Sequence, residues 1–343
     1  MNSVEITNRN NVQALDAALR IIVADANLLP HRALLEASLP AGVSVIWHER
    51  FDEAAAIRDL PGCNVFVGPQ FTPGMGKAAD SLRLVHVGGA GYDGINMDAL
   101  PAGAICANTF NHEASIAEYV AATSVFVRRQ FAQQDRALRQ GHWASSVYEP
   151  ERAQLGAIDG ATVGIVGYGH IGSRTWKVMR ALGARGVAVT AQAVDVEQEG
   201  LAWAEDLSGL DRLLAESDVI VLCVPLLPET RHMIGEKQLA SMKDTAVLVN
   251  VSRGPLIDPD ALYAALRDRQ IGGAVIDVWY QYPQKGAEAQ PSALPFGELD
   301  NVLMTPHISG VTRQTFEGRV RDIAANITNL QAGAPLKNVV FTK

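Results

Sequence analysis

Gly164-Ile165-Val166-Gly167-Tyr168-Gly169-His170-Ile171-Gly172 decides how this chain is read. A short apolar strand enters a Gly-x-Gly-x-x-Gly turn, and a helix-compatible segment follows over 170–182, with Gly183 placed to cap it. The three glycines have separate tasks. Gly167 permits the tight turn, Gly169 lets backbone approach a pyrophosphate, and Gly172 lets helix pack close on strand. The helix N-terminus offers N–H groups and partial positive charge to phosphates, so contacts are expected at Gly167, Gly169, His170, Ile171 and Gly172. In a chain with 30 glycines the motif alone is weak; between a strand and a helix it becomes specific.

The motif begins near the middle of 343 residues, so much structure precedes it. Over the first hundred residues, strands are predicted at 21–24, 43–47, 64–67 and 82–87, and the pattern changes after a further apolar run at 105–107. Helices or turns are predicted near 31–38, 52–59 and 77–81. Residues 113–140 read as one long bridging helix. A second alternating run has six predicted strands, at 162–166, 187–190, 219–223, 246–250, 273–277 and 302–304. Its helices fall near 170–182, 207–215, 235–242 and 258–267. Six strands with right-handed crossovers match a doubly wound dinucleotide fold. Residues 312–332 are helical and are expected to return to the first domain, and 281–300 read as a long loop. The expected fold is α/β with two Rossmann-like domains. A doubly wound dinucleotide-binding domain (113–312) is inserted in a discontinuous, flavodoxin-like domain (1–112 and 313–343).

Composition narrows the partners. A net charge of −8 argues against a nucleic-acid surface, which needs a basic stripe. Cys63, Cys106 and Cys223 lie in apolar runs with no Cys-x-x-Cys spacing, which reads as reduced thiols in a cytoplasmic protein. Residues 1–19 lack the apolar core of a signal peptide, and the longest apolar run, 219–227, is too short to span a bilayer. No nucleic-acid partner, membrane partner or metal site is expected.

Asn250-Val251-Ser252-Arg253-Gly254-Pro255 follows a predicted strand at the edge where open α/β sheets bind ligands. Arg253 carries a permanent planar fork of donors suited to a carboxylate or carbonyl oxygen. A salt-bridged surface arginine is the ordinary alternative; the place beside Gly254, after an apolar strand, favours a ligand. Asp258 reads as an N-cap. Met304-Thr305-Pro306-His307-Ile308-Ser309-Gly310 closes the last strand at the same edge, and His307 is the general acid/base candidate because imidazole titrates near neutrality. Gly88-Gly89-Ala90-Gly91-Tyr92-Asp93 reads equally well as an amide cradle for an anion or as a plain turn.

These residues carry a resemblance to the D-isomer-specific 2-hydroxyacid dehydrogenase family. It runs from the Gly-Gly-Ala-Gly-Tyr-Asp loop to Thr305-Pro306-His307. Its most specific string is Val224-Pro225-Leu226, Glu229-Thr230-Arg231 and Val249-Asn250-Val251-Ser252-Arg253-Gly254. The resemblance implies a substrate domain and a coenzyme domain with the active site between them, and a homodimer joined through coenzyme domains. It implies Arg253 as substrate clamp, His307 as acid/base, and the Ala90 and Gly91 amides as carboxylate binders. Val224, Pro225, Thr230, Val251, Ser252, Asp277 and Gly310 would lie on the cofactor side.

Two positions depart from the family pattern. The acid that usually holds the NAD ribose falls on Thr190. Residues 191–200 contain no Arg or Lys for a 2′-phosphate, and Asp195, Glu197 and Glu199 would repel one. NAD is favoured, with NADP and dual use open. The glutamate that usually pairs with the histidine is replaced by Tyr282. A neutral phenol does not hold an imidazole charged, so a lower His307 pKa than is usual in the family is expected. The leading reading is hydride transfer between a nicotinamide cofactor and C2 of a small 2-keto/2-hydroxy acid, with Tyr282 touching His307 or substrate. The alternatives are a formate-type dehydrogenase, which needs no proton relay, and a non-catalytic dinucleotide sensor similar to the C-terminal-binding corepressors.

Overall fold

The structure, a computed structural model, describes residues 18–283 and 286–343; the stretch read for a signal peptide lies almost wholly outside the described residues. The chain divides into two compact units, one running to Asn111 and resuming over Thr312–Lys343, the other His112–Val311.

The first unit begins β1 (Arg20–Val23), α1 (Arg32–Ser38), β2 (Ser44–Trp47), α2 (Glu53–Asp59), β3 (Val65–Val67), α3 (Pro73–Ala78), β4 (Leu84–His86) and β5 (Ile105–Ala107). Its parallel strands run in the order β2-β1-β3-β4-β5, the flavodoxin-like arrangement. β3, β4 and β5 are buried along their whole length, as continuous apolar runs covered on both faces should be. α3 starts four residues before the predicted 77–81. Thr72 caps it by accepting from Met75 N, and Pro73 supplies the preset φ of a first turn.

In the second unit the single helix expected over 113–140 is two helices, α4 (Glu113–Arg128) and α5 (Phe131–Arg139). Gln130 adopts a left-handed conformation (φ 50°) that ends one and starts the other. There follow β6 (Thr162–Val166), α6 (His170–Ala181), β7 (Arg185–Val189), α7 (Val196–Glu199), β8 (Trp203–Glu205), α8 (Leu210–Glu216), β9 (Val219–Leu222), α9 (Glu236–Ser241), β10 (Val247–Asn250), α10 (Pro259–Arg267), β11 (Gly273–Ile276) and β12 (Val302–Met304). The sheet is parallel, in the order β12-β11-β10-β9-β6-β7-β8, with seven strands where six were expected. The extra strand, β8, is a three-residue edge. Strand order reverses between β6 and β9, which opens a crevice at their C-terminal ends.

The chain then re-enters the first unit through α11 (Arg313–Ala332) and β13 (Val339–Thr342). Phe316, Val320, Ile323, Ile327 and Leu330 recur at helical spacing and pack with Ile21, Val23, Val65, Val67, Leu84 and Ile105. β13, which was not expected, pairs antiparallel with β5. Among the described residues no helix is long and apolar enough to cross a membrane.

Candidate active site

The glycine turn joins β6 to α6. A Cβ on Gly172 would lie 2.0 Å from the Gly167 carbonyl oxygen, and one on Gly167 (φ 97°) would lie 2.8 Å from the Cys223 carbonyl. Those two glycines are demanded by the chain's own packing. At Gly169 a Cβ would meet no atom within 4 Å, so that position is open toward whatever lies outside the chain. No side chain caps α6, which begins at His170 and Ile171. An open glycine before an uncapped helix start fits the pyrophosphate of a dinucleotide.

Thr190 ends β7. Its N–H donates to the Glu205 carbonyl (2.9 Å), and its hydroxyl accepts from Gln192 N (3.3 Å). Two of the three acids expected to repel a 2′-phosphate have other tasks. Asp195 caps α7 by accepting from Gln198 N (3.0 Å), and Glu199 accepts from the Tyr168 hydroxyl (2.9 Å).

The loops after β9 and β10 are bonded together. The Ser252 hydroxyl donates to the Val224 carbonyl. Thr230 folds the β9 loop on itself, donating to the Pro225 carbonyl (2.8 Å) and accepting from Leu227 N (2.7 Å). Asn250 brackets the next turn, accepting from Ser252 N (3.1 Å) and donating to the Arg253 carbonyl (2.9 Å). Half-buried Arg253 donates from Nη1 to the Ser252 carbonyl (2.8 Å). A Cβ on Gly254 would lie 2.4 Å from the Trp279 carbonyl oxygen, so the arginine turn presses on the chain just beyond β11.

That chain carries Asp277, which is fully buried. Oδ1 accepts from Thr305 Oγ1 (2.5 Å) and Ile308 N (2.8 Å), and Oδ2 from Ser309 N (2.9 Å). The resemblance implies Asp277 on the cofactor side; within this unit its carboxylate holds the histidine loop, where three protein donors converge on it. At Gly310 a Cβ would lie 3.2 Å from His112 Cβ of the same unit, so a side chain there would be tight.

His307 sits at φ 59°. The Tyr282 hydroxyl lies 3.3 Å from its Nδ1 and also accepts from Trp279 N (3.0 Å). The His307 pKa falls below the ordinary imidazole value. Desolvation is the largest cause, Asp277 opposes it and the Arg253 guanidinium adds to it. The residue keeps exposed surface, so part of the ring is reachable from solvent. Burial raises the Tyr282 pKa, which keeps the phenol neutral. Arg253, Asp277, Tyr282 and His307 thus gather at one sheet edge. Tyr119, whose hydroxyl lies 2.6 Å from Thr305 Oγ1, was not singled out in the sequence; no motif marks it.

In the first unit, Asn108 Nδ2 donates to the Ala90 carbonyl (2.8 Å), and Thr109 N donates to that of Gly89 (3.2 Å). No backbone carbonyl among the described residues accepts from the N–H of Ala90 or Gly91. The loop is braced from behind while Gly91 is exposed, the arrangement an anion cradle needs.

A family model described as D-isomer specific 2-hydroxyacid dehydrogenase, NAD binding domain, matches residues 122–309. The chain is 34% identical over 268 residues to a glyoxylate reductase of Korarchaeum cryptofilum, covering 77% of each protein. It is 33% identical to a glycerate dehydrogenase of Methylorubrum extorquens, covering 77% of this chain and 80% of that one. A crystal structure of a D-lactate dehydrogenase from Treponema pallidum superimposes with a TM-score of 0.77 at 26% identity, covering 94% of this chain and all of that one. A hydroxyacid reading fits these relatives better than a formate-type enzyme or a sensor. The chain belongs to the D-isomer-specific 2-hydroxyacid dehydrogenase family.

Proposed function

We propose that the protein transfers a hydride between a nicotinamide dinucleotide and C2 of a small 2-keto or 2-hydroxy acid. The observation that carries this reading is the fixed imidazole of His307, tied through Nδ1 to Tyr282 on the edge that also bears Arg253. In that arrangement Nε2 remains for substrate. The bound dinucleotide supplies the hydride for reduction and accepts it in the reverse direction.

Each protein group has a separate task. The Arg253 fork binds and polarises the carboxylate or carbonyl oxygen. The Ala90 and Gly91 amides are assigned the carboxylate on the strength of their own loop. As C2 gains hydride, its oxygen takes the proton from His307 Nε2, and oxidation returns it. The Tyr282 oxygen has two lone pairs. One takes Trp279 N–H, and the other accepts Nδ1–H when the imidazole is charged. Orientation accounts for much of the rate in such two-substrate sites.

NAD is the favoured cofactor, since Thr190 is followed by no Arg or Lys over 191–200. NADP belongs to the same reading. A homodimer is proposed through the second unit, where Phe131, Leu138, Trp143, Val147 and Tyr148 expose apolar surface close together in sequence. Free Cys63, Cys106 and Cys223 support a reducing, cytoplasmic location.

The test is an assay of purified protein with NADH and NADPH against glyoxylate, hydroxypyruvate, pyruvate and phenylpyruvate, then with NAD⁺ against formate. Tight dinucleotide binding without turnover of any keto acid overturns the enzyme reading.

A further inference from the structure

The loop that carries His307 is anchored on both sides of it. Thr305, Ile308 and Ser309 all donate to Asp277, and Trp279 Nε1 donates to the Thr305 carbonyl (2.8 Å). Between these anchors His307 holds a left-handed backbone, a conformation that residues with a Cβ rarely adopt. The anchors impose it. Counting hydrogens extends the clasp one residue further. A carboxylate only accepts, so the Thr305 O–H is spent on Asp277. The hydrogen between Tyr119 and Thr305 must therefore come from the Tyr119 phenol, 2.6 Å away on α4. Burial pushes the Tyr119 pKa up to about 12, so the phenol keeps its proton at working pH. A hydroxyl that accepts one hydrogen bond donates its own more strongly, which links the three groups.

We propose that Tyr119 is a positioning residue, acting through Thr305 and Asp277 to hold the His307 loop in the conformation that delivers the imidazole to Tyr282. The proposal rests on His307 handling the substrate proton. It gives Tyr119 no contact with substrate or cofactor.

The test uses the full chain as Tyr119→Phe, Thr305→Val, Thr305→Ser and the Phe/Val double variant. Amide hydrogen exchange at Ile308 and Ser309 reports the clasp without any turnover. Tyr119→Phe and Thr305→Val should speed that exchange by about tenfold, roughly what one hydrogen bond is worth. They should lower kcat for keto-acid reduction by about the same factor, with Kd for NADH unchanged. Thr305→Ser, which keeps the hydroxyl, should restore both. The double variant should be no worse than Thr305→Val, because both act through one chain of bonds. Unchanged exchange in Tyr119→Phe overturns the proposal. So does faster exchange with undiminished kcat, or a double variant whose losses multiply. A wild-type protein that reduces no keto acid removes the catalytic reading, and the exchange data then still decide whether the clasp exists.

Discussion

The Tyr282 hydroxyl stands 3.3 Å from His307 Nδ1, at the position where the family pattern implies a carboxylate. A phenol orients the ring but adds no negative charge, so desolvation prevails and the His307 pKa drops. Keto-acid reduction consumes the charged imidazole. Its rate should therefore be full at low pH and fall as pH rises through a value below that of free imidazole. Tyr282→Glu adds the missing charge. The upper limb of the kcat/KM profile for reduction should then move up by about 1 unit or more. An unmoved limb would show that Tyr282 does not govern this titration.

Gly169 and Gly172 belong to one motif and should fail differently. Gly169→Ala puts a methyl into open space, so thermal unfolding should be unchanged while NADH affinity drops at least about tenfold. Gly172→Ala drives a methyl to 2.0 Å from the Gly167 oxygen, so the melting temperature itself should fall. Calorimetry paired with fluorescence titration separates the two. A Gly169→Ala protein that binds NADH normally would deny the turn its phosphate role.

Arg253→Gln removes both the charge and the fork. A loss of about 100-fold or more in kcat/KM is expected, with dinucleotide affinity retained. Arg253→Lys should recover little of it, because a point charge does not replace a planar pair of donors. Steady-state kinetics beside NADH binding checks this; equal activity of the lysine variant would argue against bidentate contact.

His86 carries a prediction about stability. It is completely buried in β4, bonded to the Val87 carbonyl through Nδ1 (3.1 Å) and to Asn326 through Nε2 (3.1 Å). Burial lowers its pKa to about 4. The unfolded chain, with ordinary imidazole near 6.5, binds the proton more readily. The contribution of neutral His86 is therefore present above pH 6.5 and lost as pH falls toward 4, by up to about 3 kcal/mol. Urea unfolding of wild type and His86→Gln at pH 7 and pH 4.5 tests this: wild type should lose the larger share of its pH 7 stability.

Legibility in the sequence followed signal strength. β6 and α6 were readable because five apolar-compatible residues meet three glycines whose roles are sterically distinct. β8 was not, since Trp203-Ala204-Glu205 is short and ends in a charge. The break at Gln130 has no glycine to announce it. In the site, Arg253 and His307 stood out because they follow strand ends. The choice of partner for Tyr282 was not readable, and Tyr119 meets Thr305 across 186 residues of chain. Asp277 was noticed, but its task depends on where two later amides point.

The return of α11 to the first unit sets an order for biosynthesis. Ile21, Val23, Val65, Val67, Leu84 and Ile105 are made early, yet the helix that covers them follows a 200-residue insertion, His112–Val311. At ribosomal speeds of about 5–20 residues per second, that face waits roughly 10–40 s for its cover. The inserted unit is contiguous and completes itself meanwhile. A nascent chain paused inside it would carry an uncovered apolar sheet, the kind of surface that chaperones bind and that aggregates when they are scarce.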